Sequence, residues 1–336
     1  MTCRDPGPSY RPSRRALLRT ALLAGAAGAL PDFASAQGDY PNHAITMVVP
    51  FPPGGPTDVV ARLLCERLGR ALKQAVIIEN RPGANANIGT GAVAKAPADG
   101  YTVLYNTSSI VMSPALYRSL PYDLNRDFAP VALTATVPLA LVVNNDLPVR
   151  NVKEFVAYAK AHPGKLSYGS AGSGSPTHLA ALQFAQAAGI EATHVPYKGT
   201  APADIDLAAG QLQFMTDTIN TIASFVKGKR VRMLALMTPQ RVSLYPDVPT
   251  LAESGFPGFE AQAWQGMLVP AGTPAAVVEK LNAEINRVLK SKDVLDALAL
   301  QGAGPLGGTP QEYAAYLKKE LGRWTTVIKG AGVTMD

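Results

Sequence analysis

The chain has 336 residues, 47% of them hydrophobic and 17% charged, which is enough apolar material for two core-forming domains and too little charge for a disordered chain. Its formal charge of +6 does not point to nucleic acid: half of it lies in the first 36 residues, as five arginines against two aspartates. The densest later cluster, Lys227 to Arg232, is short and has no interleaved aromatics. Of two cysteines, Cys3 lies in that N-terminal stretch and Cys65 stands alone, which excludes a disulfide framework.

Residues 1–36 read as an export signal. Arg14-Arg15 precede an apolar run from Thr20 to Leu30, and Ala34-Ser35-Ala36 supplies a small-residue cleavage site. The arginine pair suits a twin-arginine route, with an ordinary secretory signal as the alternative. After Gln37 no apolar stretch of about 20 residues follows, so a periplasmic chain without a membrane span is expected.

From Ala44 the pattern alternates strand, turn and helix. Ile45 to Val49 is a β-rich run, Pro50 to Pro56 breaks it, and Thr57 or Asp58 is placed to cap a helix with Val59, Val60, Leu63, Leu64 and Leu68 on its apolar face. A strand is expected at Ala75–Glu79, a small-residue helix around Thr90–Lys95 and a strand at Tyr101–Tyr105. Two apolar runs, Val131–Val137 and Leu139–Val143, precede a helix over Val152–Ala161 capped by Asn151. The rhythm then repeats with a strand at Leu166–Gly169, a glycine-serine loop and a helix from Pro176 to about Ala188. Strands follow at Thr193–Tyr197, Leu212–Met215, Val231–Met237 and Ala263–Val269, and the remainder reads as helical. Alternation of this kind implies an α/β fold with a mainly parallel sheet. We expect two lobes, the second inserted in the first: residues 40–142 with 263–336, and residues 143–262, with a ligand cleft between them.

Three loops share one design, in which a strand runs into a small-residue turn that opens a helix. Phe51 to Asp58, Thr107-Ser108-Ser109 and Ser170 to Thr177 each place backbone N–H groups near a helix N-terminus, where unsatisfied donors and the helix dipole favour an anion. Glycines 54, 55, 172 and 174 allow close approach, so valine at Gly55 or Gly172 is expected to block a ligand. No nucleophile elbow, dinucleotide fingerprint or phosphate-loop motif occurs, and His43, His162, His178 and His194 are too scattered to form a metal motif. Neither metal nor cofactor is expected. Asp217 ends an expected strand, where it caps a helix or orients a ligand. An exported small-acid enzyme using His178 and Asp217 is the competing catalytic reading, and a ligand sensor with a signalling partner is the competing binding reading.

The sequence resembles the Bug family of extracytoplasmic receptors associated with tripartite tricarboxylate transporters. The resemblance rests on Val49–Asp58, Asn80–Gly89, Ala98–Thr102, Gly169–Leu179, His194–Gly199, Pro246–Gly255 and Pro270–Pro274. It implies a type II periplasmic-binding-protein fold, with a ligand carboxylate held mainly by backbone amides and ordered waters in the first and glycine-serine loops. Candidate ligand contacts in the first loop are Phe51, Pro52, Gly54, Gly55, Thr57 and Asp58. In the later segments they are Ser108, Ser170, Gly172, Ser173, Thr177, Tyr197 and Asp217. The family often has glycines where this chain has Asn85-Ala86. The implied partners are a small carboxylate and integral-membrane transporter subunits, with the receptor acting as a monomer and not as an enzyme.

Overall fold

The computed structural model describes residues 40–335; the expected export signal lies outside the described residues. The chain divides into an N-terminal unit, Met1–Asn42, and one compact unit, His43–Asp336, which carries everything below.

Three parallel strands form one flank of the sheet. β1 (Ile45–Val49) pairs with both β2 (Val76–Asn80) and β3 (Thr102–Thr107). The connections are α1 (Pro56–Leu72) and α2 (Asn87–Ala94), and α3 (Ser109–Leu116) follows β3. In α1, Val60, Leu64 and Leu68 are fully buried at helical spacing, whereas Val59 is 40% exposed and falls off the expected apolar face. The helix starts one residue earlier than its expected caps: Gly55 is the N-cap and Pro56 the first helical residue, as suits proline's missing N–H.

The two apolar runs past residue 130 are a single 17-residue strand, β4 (Phe128–Asn144). Its first part, Phe128–Pro138, pairs antiparallel with β9 (Gln262–Pro270), and its second, Leu139–Asn144, pairs antiparallel with β7 (Phe214–Thr218) and β8 (Val231–Leu236). Pro138, which has no N–H to give, sits where the partners change. On the far side β5 (Leu166–Ser170) runs parallel to β6 (Ala192–Pro196) and to β7. The order is β2-β1-β3-β9-β4-β7-β5-β6, so antiparallel strands β9 and β4 divide two parallel groups, and the mainly parallel expectation is revised to a mixed sheet.

Helices α4 (Val152–Ala161), α5 (Pro176–Ala188), α6 (Thr200–Ala208) and α7 (Ile219–Lys227) link the strands of the second group. After β9 come α8 (Ala275–Leu289), α9 (Lys292–Leu300), a short strand β10 (Gly304–Gly307) and α10 (Pro310–Ala331). β10 pairs with β4 and was not expected from its glycine-rich sequence. Asn151 caps α4, and Thr309 with Glu312 forms a reciprocal capping box on α10. One apolar core gathers Phe155, Phe184 and Phe214, with Phe155 and Phe214 edge to face at 5.1 Å. Another gathers Trp264, Tyr313 and Trp324 under α10.

Candidate functional site

The first loop is tied back by a charged network. Asp58, 1% exposed on the first turn of α1, accepts the Gly54 N–H at 2.8 Å, the Arg62 guanidinium at 2.7 Å and the Asn80 amide at 2.9 Å. Asn80 also donates to the Phe51 carbonyl at 3.0 Å. Burial pushes the Asp58 carboxyl up, but Arg62, the Gly54 amide and Asn80 together bring it below the ordinary carboxylate value. The Asp58 carboxylate therefore supports the loop, and what Asp58 has left to offer a ligand is its backbone N–H. Gly54 has φ +80, so glycine is needed at 54. Gly55 has φ −76 with its nearest obstruction at 3.6 Å, so valine there meets no backbone or steric bar. Among the described residues, the N–H groups of Gly55, Thr57 and Asp58 find no hydrogen-bond partner. Phe51 is half-buried and Pro52 exposed beside them.

The glycine-serine loop is held by neutral groups. Ala171 N–H donates to Thr177 Oγ1 at 2.9 Å, Gly172 N–H to Ser170 Oγ at 3.1 Å, Gly174 N–H to His178 Nδ1 at 3.1 Å and Ser175 N–H to the Gly172 carbonyl at 3.1 Å. The amide cradle is consequently narrower than the sequence suggested: Ser173 and Thr177 retain N–H groups without a partner among the described residues. Ser170 and Thr177 are buried braces. Gly172, at φ +126, would bring a Cβ within 3.1 Å of the Tyr197 carbonyl, so it is the glycine at which valine is barred. The Tyr197 hydroxyl is spent on Asp206 at 2.6 Å.

The two loops meet through a turn from the first flank of the sheet. Asn85 Nδ2 donates to the Gly174 carbonyl at 3.1 Å. Ala84, Asn85 and Ala86 are all left-handed, at φ +46, +50 and +78, a conformation that costs non-glycine residues free energy and that asparagine tolerates best. Nearby, Ser108 caps α3 and its N–H donates to the Trp264 carbonyl at 3.0 Å. The Ser108 and Ser109 hydroxyls are buried without a partner among the described residues.

Asp217 does not stand at an open edge. It is fully buried, accepts the Thr221 hydroxyl at 2.5 Å, and faces Asp204, itself 2% exposed on α6. Burial raises the pKa of both carboxyls; the Asp217 charge raises Asp204 further, whereas a hydrogen bond from Asp204 holds Asp217 lower, so the pair shares a proton with Asp204 the protonated partner. Neither forms an ion pair among the described residues. Sequence reasoning missed Asp204, His194, Asn80 and Arg62 as site supports. Of these Asn80 and His194 carried a signal, each as the first residue of a recognised motif. Lys198 is exposed. Two surface recesses, one of about 230 Å³ beside Asn286 and Leu306 and one of about 390 Å³ beside Lys229 and Met233, lie on other elements and share no residue with these loops.

Small-residue loops at strand ends, braced internally on a mixed sheet, define the class of the fold as that of the solute receptors. The chain belongs to the tripartite tricarboxylate transporter family of receptors: the description "Tripartite tricarboxylate transporter family receptor" matches residues 60–333. Protein BugT of Bordetella pertussis is 38% identical over 298 residues, covering 88% of this chain and 91% of its own. A structure from R. palustris with adipate superposes with a TM-score of 0.83 at 38% identity, covering 88% of this chain and 100% of its own. MatC from Rhodopseudomonas palustris with bound malate gives a TM-score of 0.79 at 34% identity, over 86% and 100% of the two chains. Both superposed relatives hold carboxylic acids in a fold shared over nearly their whole length.

Proposed function

We propose that this receptor is exported to the periplasm, its signal removed near Ala36, and there captures a small carboxylate for delivery to a membrane transporter without catalysing a reaction. The observation that carries this reading is the set of unpartnered N–H groups at the starts of α1 and α5: Gly55, Thr57 and Asp58 on one side, Ser173 and Thr177 on the other. Backbone donors at two helix N-termini suit an anion. Arg62, the nearest guanidinium to the first loop, is committed to Asp58. The adipate and malate held by the two relatives are the ligand class these donors fit. Micromolar capture needs about −8 kcal/mol, and hydrogen bonds to a charged group contribute roughly 1.5–3 kcal/mol each before ordering costs, so five donors suffice.

The change of strand partners between Pro138 and Leu139 supports drawing the first lobe crossing there, a little ahead of residue 142. One contact invites a catalytic reading other than the one built on His178 and Asp217: Ser170 Oγ lies 2.7 Å from His194 Nε2. Ser170 is fully buried and already bonded to both ends of Gly172, and no third group orients His194, which leaves a brace and not a nucleophile.

The test is a thermal-shift series on residues 37–336, unfolded and refolded to strip copurified ligand, against mono-, di- and tricarboxylates including adipate and malate. A concentration-dependent rise in Tm with at least one acid is expected. A panel that leaves Tm unmoved sinks the carboxylate reading.

A further inference from the structure

The amides available to a ligand in the glycine-serine loop face outward only if the rest of the loop is held, and the grip converges on one peptide. Gly174, at φ +74, gives its N–H to His178 Nδ1 and receives Asn85 Nδ2 on its carbonyl. His178 itself is held from behind. Its own N–H donates to Ser175 Oγ, and its ring stacks on His194 at 3.8 Å with Tyr168 beyond at 6.2 Å. His194 in turn holds Ser170, whose hydroxyl receives the Gly172 N–H. Because Nδ1 accepts a hydrogen bond, the ring carries its proton on Nε2. Burial, with His194 adding to it, drives the His178 pKa down to about 3, so the accepting form persists at any pH where the protein works.

We propose that His178 is the positioning residue of the ligand loop: by accepting the Gly174 N–H through Nδ1 it fixes the turn that presents the Ser173 and Thr177 N–H groups to the carboxylate. This rests on the carboxylate-capture reading and adds to it the side chain on which the second half of the cradle depends. A buried histidine that merely fills space between Tyr168 and His194 would act through its ring and not through its acceptor.

Two variants separate those roles. His178→Asn places Oδ1 close to where Nδ1 stood and removes the ring; His178→Phe keeps a ring and removes the acceptor, with His178→Leu as its replacement should it not fold. Adipate affinity is read by calorimetry on refolded protein, and hydrogen exchange of the Gly174 amide is read by NMR without ligand. His178→Phe is expected to weaken adipate by about tenfold or more and to speed Gly174 exchange by about a hundredfold, while His178→Asn stays within about threefold of the parent in both. A phenylalanine variant that retains slow exchange and full affinity, or an asparagine variant that loses both, overturns the proposal. If the parent binds no acid of the carboxylate panel, the capture reading fails, and if it binds one other than adipate that acid replaces adipate in the affinity arm; Gly174 exchange decides in either case whether His178 holds the loop.

Discussion

The two candidate ligand loops are anchored with opposite chemistry. The first is anchored by an ionised carboxylate, Asp58, working against Arg62, which is itself half in water. The second is anchored by hydroxyls and imidazoles that carry no charge. A buried carboxylate whose cation stands half in water is open to salt and to acid. A neutral anchor can be sunk deeper, where each unmade hydrogen bond costs more. The second loop should therefore be the more rigid and the less forgiving of change.

The comparison breaks hardest at Gly174. A Cβ there would lie 2.7 Å from Leu116 Cδ1 and 2.8 Å from Met335 Sδ on a left-handed backbone, so Gly174→Ala should cost roughly 2–4 kcal/mol in urea unfolding. Asp58→Ala comes next. It strands the Gly54 N–H and the Asn80 amide, and a loss of about 1–3 kcal/mol is expected, with the residual stability less sensitive to salt than the parent's.

The pH profile of Tm sharpens the contrast. His178 and His194 have native pKa values lowered to about 3 and about 4 from 6.5, so the stability present above 6.5 should decline as pH falls from there toward those values. Asp58, lowered from 3.8, should give way only below that value. Asp204 and Asp217 run in the other direction: their raised pKa values make the native state hold protons that the unfolded chain releases above 3.8. Stability present below 3.8 is thus lost as pH rises, which opposes the histidines between about 4 and 6.5, and Asp204→Asn should flatten the alkaline limb and steepen the acid one. With that opposition removed, a flat acid limb in Asp204→Asn would contradict the neutral anchoring of the second loop. The smallest effect is expected at the turn that joins the loops. Ala84 is exposed at φ +46, and Ala84→Gly should raise stability by about 0.5–1 kcal/mol by urea unfolding.

Much of this was legible in the chain. Period-two and helical patterning located most strands and helices, and the small-residue segments at 51–58 and 170–177 are the strand-to-helix turns expected there. What failed to show was tertiary. Pro138 made β4 look like two strands, because a proline ends most strands and only the change of partners excuses this one. Gly304–Gly307 has no alternation to read, and it is a strand only because β4 offers an edge. Asp58 looked like a cap or a contact, and only folding brings Asn80 and Arg62 onto it. The cradle was overcounted because the side chains of Ser170, Thr177 and His178 take amides that a sequence shows as free.

The order of β9 in the sheet has a consequence for how the chain is made. β9 lies between β3 and β4, yet it begins only at Gln262, after every strand of the second group has been synthesised. A ribosome that has reached Ala261 has released a chain whose first flank ends in two raw strand edges, β3 and the leading part of β4, with no neighbour yet available to either. Such edges invite pairing with other chains until the last quarter of the sequence arrives. A truncation anywhere before Gln262 therefore removes the keystone from the middle of the sheet, not a strand from its margin, and its product should reach the aggregate and not a smaller soluble fold.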